Sequence, residues 1–123
     1  MKILISGSRN WVEQKPIEDE LRKFPPGTIV IHGACRGVDN IATYVAKQLG
    51  FEVRPYPADW DFYGPQAGVL RNQQMLDDEH TRDEPIDLLL VWHEDPGLGK
   101  GTKDMVTRTE RANPVIPIQI RGH

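Results

Sequence analysis

The sequence predicts an α/β domain: an open, parallel sheet of about five strands in the order 3-2-1-4-5, layered between helices. Three observations carry this. Short apolar runs, Ile3-Leu4-Ile5, Ile29-Val30-Ile31 and Leu88-Leu89-Leu90-Val91-Trp92, have the continuous hydrophobicity of strands buried on both faces. Segments with apolar residues at helical spacing alternate with them. Pro55 and Pro117 fall in the third and fifth runs, and a residue without an N–H is tolerated on an edge strand.

Strand one, Ile3 to Ile5, runs directly into Gly7-Ser8-Arg9. Ile17, Leu21 and Phe24 follow at helical spacing until Pro25-Pro26-Gly27 stops the helix ahead of strand two, Thr28 to His32. Next come the loop Gly33 to Asp39 and the best amphipathic segment, with Val38, Ile41, Ala42, Val45, Ala46 and Leu49 on one face and Gly50 as its C-cap. Phe51 to Tyr56 forms a shorter third strand. Pro57 to Pro65 reads as a loop, about Gln66 to Asp77 as a helix with Leu70 and Met75 among its apolar positions, and Asp77 to Pro85 as a solvated loop or helix end. Ile86 to Trp92 is the central strand. The glycine-rich stretch Pro96 to Thr102 then opens a helix reaching about Ala112, and Val115 to Ile120 supplies the last strand. Right-handed crossovers between parallel strands make this half of a doubly wound, Rossmann-like fold. No repeat competes with it.

A chain of 123 residues suits one domain spanning 1–123. With 38% hydrophobic and 27% charged residues, composition excludes a disordered chain. No stretch approaches the roughly 20 apolar residues of a membrane span, and the first residues are too briefly apolar for a signal peptide. A cytoplasmic protein is expected. The single Cys35 allows no internal disulfide, and His32, His80, His93 and His123 show no metal-ligand spacing, so no metal or obligatory cofactor is expected. A net charge of −3 argues against a surface for duplex nucleic acid while leaving room for a local basic cleft.

In an open parallel sheet, ligands bind beyond the carboxyl ends of the strands where chain direction switches, here between strands one and four. Gly7-Ser8-Arg9, the Gly33 to Asp39 loop with Arg36 and Gly37, Asp59-Trp60 and the Gly97 to Thr102 loop all fall at that end. Glycines there let backbone N–H groups approach an anion, and the helix starting near Thr102 aims its positive end the same way, which suits phosphate. Thr102 is a candidate helix cap or phosphate ligand, and Arg9, Arg36, Arg71 and Lys100 are candidate counter-charges. Asp39 is a candidate acceptor for ribose hydroxyls. Trp60, Tyr63 and Trp92 are candidates to stack a base, although aromatics at such positions commonly pack into the core or loops. Any one glycine loop taken alone reads first as a plain turn, and Arg36 and Arg71 read equally as a solvated helix face. Two such loops at one sheet edge favour a ligand. Cys35 lies beside Arg36 near a helix start but has no histidine base placed by the sequence, so it reads as a packing residue. Glu94, in His93-Glu94-Asp95, is the first carboxylate to consider for bond cleavage.

Together, Gly7-Ser8-Arg9, His32-Gly33-Ala34 with Gly37-Val38-Asp39, Pro57-Ala58-Asp59-Trp60, Ala67-Gly68 with Arg71-Asn72, and Lys100-Gly101-Thr102 resemble the YspA-type branch of the SLOG superfamily. That superfamily also includes the LOG phosphoribohydrolases and the DNA-processing protein DprA/Smf. The resemblance implies a Rossmann-like fold that binds a nucleotide or nucleotide-derived small molecule, as a sensor or sequestering domain, and pairing through helices into a homo-oligomer. LOG enzymes carry Pro-Gly-Gly-x-Gly-Thr-x-x-Glu with a catalytic glutamate. Here the phosphate part survives as Gly99-Lys100-Gly101-Thr102 but the glutamate position is Met105, so LOG-type hydrolysis of a nucleoside monophosphate would need Glu94 or Asp104 as substitute. The loop Gly33 to Asp39 also resembles the Gly-x-x-Arg-Gly-Ile-Asp of DprA, which binds single-stranded DNA. The acidic balance argues against such a groove. Binding therefore ranks ahead of turnover, and Asn72 joins the ligand-side residues through its motif.

Overall fold

The computed structural model describes residues 1–122. Five parallel strands, β1 (Lys2–Gly7), β2 (Ile29–His32), β3 (Glu52–Pro55), β4 (Leu88–Trp92) and β5 (Ile118–Arg121), form one sheet in the order β3-β2-β1-β4-β5. Five α-helices connect them: α1 (Lys15–Leu21), α2 (Val38–Gln48), α3 (Trp60–Tyr63), α4 (Ala67–Glu79) and α5 (Gly99–Glu110). The α/β Rossmann-like expectation and its strand order hold. None of these helices is long and apolar enough to cross a membrane.

Alternation along the two central strands divides the core. Ile3 and Ile5 of β1 and Leu88, Leu90 and Trp92 of β4 pack with Ile17 and Leu21 of α1 and Val38, Ala42 and Val45 of α2. Leu4, Leu89 and Val91 point the other way, against Met75 and Leu76 of α4 and Met105 of α5. Helices therefore cover both faces, which is why these strands are apolar at consecutive positions. Leu70 is the exception on α4, turned outward and exposed.

Several boundaries differ from the sequence expectation. Residues 57–65 are not all loop: Asp59 Oδ1 accepts the Phe62 amide at 3.1 Å and starts α3, which a 3₁₀ turn, Gly64–Gln66, joins to α4. The last strand begins after Pro117, whose carbonyl still accepts from the Leu89 amide at 2.9 Å. α5 begins at Gly99, not near Thr102, so Lys100, Gly101 and Thr102 are helical. Its N-cap is Leu98, held left-handed at φ 68°.

The largest departure lies in the segment expected to be solvated. α4 continues to Glu79, whose carboxylate is buried and accepts from Tyr56 Oη at 2.7 Å and from Arg54 at 2.8 Å, with Lys2 Nζ at 3.2 Å. Lys2 also donates to the Glu79 and Glu84 carbonyls. Burial alone would raise the pKa of Glu79, but the bonds from Tyr56, Arg54 and Lys2 outweigh it and hold the group below its ordinary value. The network ties the end of α4 to the start of β1 and to β3.

Candidate functional site

At the carboxyl ends of β1 and β4 lies a cavity of about 540 Å³, a volume suited to a small organic ligand. Its wall is built from the residues after β1, the start of the β2–α2 loop, Trp60, the first turns of α4, His93 to Asp95 after β4, and the first turn of α5. Two loops are pinned together at the switch point. The Ser8 amide donates to the Trp92 carbonyl at 2.9 Å, and Ser8 Oγ donates to Glu94 Oε1 at 2.7 Å while accepting from the Asn10 amide at 3.0 Å.

The cavity's cationic wall comes from α4 and α5. Arg71 is buried and donates to the carbonyls of Gly33 and Tyr56 and, through Nε, to Asn72 Oδ1 at 3.0 Å. All of these acceptors are neutral, and among the described residues no carboxylate lies within ion-pair distance of its guanidinium. Asn72 Nδ2 in turn donates to the Gly101 carbonyl at 3.3 Å and to Asp104 Oδ2 at 3.0 Å, fixing α4 against α5. No side chain caps α5, so its first-turn amides, from Gly99 to Gly101, have no side-chain acceptor at the cavity wall. The helix dipole adds positive potential there.

The glycines divide into two kinds. A Cβ on Gly7 would strike the Trp92 carbonyl and Val38, one on Gly33 would meet the Arg71 guanidinium at 2.6 Å, and one on Gly37, at φ 78°, would strike the Ser8 carbonyl. These three serve the protein's own close packing rather than the approach of an anion. A Cβ on Gly101 would meet nothing within 4 Å, so that position faces open space.

Asp39 organises the β2–α2 loop. Its Oδ2 accepts the Gly33 and Cys35 amides, both at 3.2 Å, while Oδ1 is buried with no hydrogen-bond partner among the described residues. Burial raises its pKa to about 6 despite the opposing pull of the Cys35 amide, Arg71, the Gly33 amide and Arg9. Burial, and secondarily Arg71, lowers His32 to about 4, so the imidazole is neutral at pH 7. His32 Nδ1 accepts the Ala34 amide at 2.9 Å, which places the ring proton on Nε2, 2.6 Å from Thr43 Oγ1. Thr43 donates onward to the Asp39 carbonyl at 3.0 Å.

Of the residues singled out from sequence, Gly7, Ser8, Arg9, Gly33, Asp39, Trp60, Arg71, Asn72, Glu94, Gly99, Lys100, Gly101 and Thr102 line the cavity together. Arg36, Gly37, Asp59 and Asp104 do not. Arg36 is exposed, Asp59 caps α3, and Asp104 pairs with Arg108 at 2.8 Å. Trp92 is core, and Tyr63 packs edge-on against Phe62 outside the cavity. Arg71 is not on a solvated face. Cys35 is half-buried, with Sγ 3.9 Å from the Arg71 guanidinium. Met105 is buried against the sheet and does not reach the cavity. Sequence reasoning passed over Asn10 and Val69, which also line it. Asn10 directly follows Gly7-Ser8-Arg9, a usable signal, whereas the exposure of Val69 depends on the rotational setting of α4. Among the described residues no three His, Cys, Asp or Glu side chains are grouped to hold a metal ion.

Comparison with known proteins adds two findings. The model of the YspA, cpYpsA-related SLOG family matches residues 1–63. The chain is also 43% identical over 84 residues to the Gene 61 protein of Mycobacterium phage D29, an overlap of 61% of this chain and 67% of that protein. No solved structure matches it.

Proposed function

The chain belongs to the YspA, cpYpsA-related SLOG family, and from that premise we propose that it binds a nucleotide or nucleotide-derived small molecule as a sensor or sequestering domain, without an obligatory cofactor. One observation carries the reading. The uncapped first turn of α5 and the buried guanidinium of Arg71, with no carboxylate within ion-pair distance among the described residues, line the same cavity. A phosphate there would gain backbone amides, the helix dipole and a charge-assisted bond. Lys100 adds a second cation at the rim, and Gly101 leaves room for the anion's approach.

Calorimetric titration with nucleoside monophosphates, ADP-ribose and inorganic phosphate tests this. Saturable binding is expected, weakened at least tenfold by Arg71→Met. Absence of binding by every one of these probes contradicts it.

A second reading rests on Glu94, a carboxylate on the cavity wall hydrogen-bonded to Ser8. On this reading Glu94 would assist cleavage of an N-glycosidic bond, since Asp104 is engaged by Asn72 and Arg108 away from the cavity. Release of free base from AMP, abolished by Glu94→Gln, would move the protein from binding to turnover. A rate unaffected by that substitution would remove Glu94 from the chemistry.

A further inference from the structure

We propose that Arg9 and Trp60 form a two-jawed slot at the cavity mouth that takes the planar aromatic base of the ligand between guanidinium and indole. This rests on the phosphate reading and extends it, because it makes the target class a nucleotide rather than a bare sugar phosphate.

The two side chains come from different elements, Arg9 from the loop after β1 and Trp60 from the start of α3, and both line the cavity. The Arg9 guanidinium carbon lies over the indole, 6.0 Å from its centroid. Two stacked layers separate by about 3.5 Å each, so admitting a base requires the jaws to open by roughly 1 Å. Arg9 is exposed and, among the described residues, forms no ion pair, so its side chain can make that movement. The indole is supported from within α4, where a Cβ at Gly68 would come within 3.2 Å of Trp60 Cη2. Glycine there lets the ring lie close to the helix while it lines the cavity.

The other aromatics do not offer this arrangement. Trp92 and Trp11 are buried in the core, and Tyr63 and Phe62 pack on each other outside the cavity. Trp60 is 48% exposed on a chain whose other two tryptophans are nearly inaccessible. Stacking on indole and guanidinium tolerates any base, since each presents a π face.

That contrast in exposure supplies the readout. Iodide quenching of intrinsic fluorescence reports Trp60 alone, because Trp11 and Trp92 are 4% and 1% exposed. AMP, UMP and ribose 5-phosphate are titrated by calorimetry on the wild type and on Trp60→Leu and Trp60→Phe, and by iodide protection on the wild type, where Trp60 is the reporter. The slot requires AMP and UMP to bind about tenfold or more tightly than ribose 5-phosphate and to protect Trp60 from iodide. Trp60→Leu should remove that advantage while leaving ribose 5-phosphate affinity unchanged, and Trp60→Phe should retain most of it. Equal wild-type affinity for AMP and ribose 5-phosphate overturns the slot and leaves the phosphate reading standing. So does a Trp60→Leu loss shared equally by all three ligands, which would mark Trp60 as structural. Binding of none of the three overturns both.

Discussion

Two buried carboxylates set the two ends of this molecule apart. Glu79, at the end of α4 opposite the cavity, is surrounded by Lys2, Arg54 and Tyr56, and their hydrogen bonds hold it ionised. Asp39, at the cavity end, has one oxygen on two loop amides and the other on nothing among the described residues. The cations differ in the same sense. Lys2 and Arg54 are paired with Glu79, whereas buried Arg71 has only neutral acceptors. An interior that satisfies its charges at one end and leaves them under-satisfied at the other spends stability where a ligand can restore it.

The sharpest way to break this contrast is to remove Glu79. Glu79→Ala strands a buried lysine and a tyrosine hydroxyl, and urea unfolding at pH 7 should show a loss of about 3–5 kcal/mol. A loss under about 1 kcal/mol would mean that the network is ornamental. Arg71→Met should cost less, about 1–3 kcal/mol, because what it leaves unsatisfied is backbone carbonyls rather than charges. Its main effect should appear as weakened phosphate binding.

Opposite pH dependences distinguish the groups at the cavity end. Asp39 has a raised pKa, so its ionisation disfavours the folded state: relative stability falls as pH rises from about 4 to about 6. His32 has a lowered pKa, so its contribution is present above about 6.5 and lost as pH falls toward about 4. The two trends oppose each other in the wild type. In Asp39→Asn, stability relative to wild type should increase by about 1–3 kcal/mol between pH 4 and pH 7. In His32→Gln it should decrease over the same range. Parallel wild-type and variant curves would show that neither group titrates as its burial implies. The smallest expected effect is at Ala34, which is exposed and left-handed at φ 56°. Ala34→Gly should change stability by no more than about 1 kcal/mol, with a melting curve as the check.

The sheet was legible because its determinants are local. Apolar runs such as Leu88 to Trp92 are wetted on neither face, and Pro55 and Pro117 mark the edges. The cavity's position followed from the strand order, since the glycine-rich turns could only meet beyond β1 and β4. What the sequence hid depends on long-range register. The run around Glu79 looks like any solvated acidic segment until the fold brings up Lys2, 77 residues away in the chain, and Arg54, 25 away. The start of α5 was hidden for a local reason: Gly99 and Gly101 have low helix propensity, and the turn is set by the left-handed Leu98 instead. The packing roles of Gly7, Gly33 and Gly37 were equally invisible, because only coordinates show what a Cβ would strike.

The central claim is that the first turn of α5 and Arg71 hold the phosphate of a nucleotide-type ligand. A crystal structure of the wild-type protein soaked with AMP tests it most directly. The expected result places the phosphate within hydrogen-bond distance of the Lys100 or Gly101 amide and of the Arg71 guanidinium, with Arg71 turned from the Gly33 carbonyl toward the anion. AMP bound elsewhere on the surface, or a cavity that stays empty with Arg71 on the Gly33 carbonyl at saturating ligand, would contradict it.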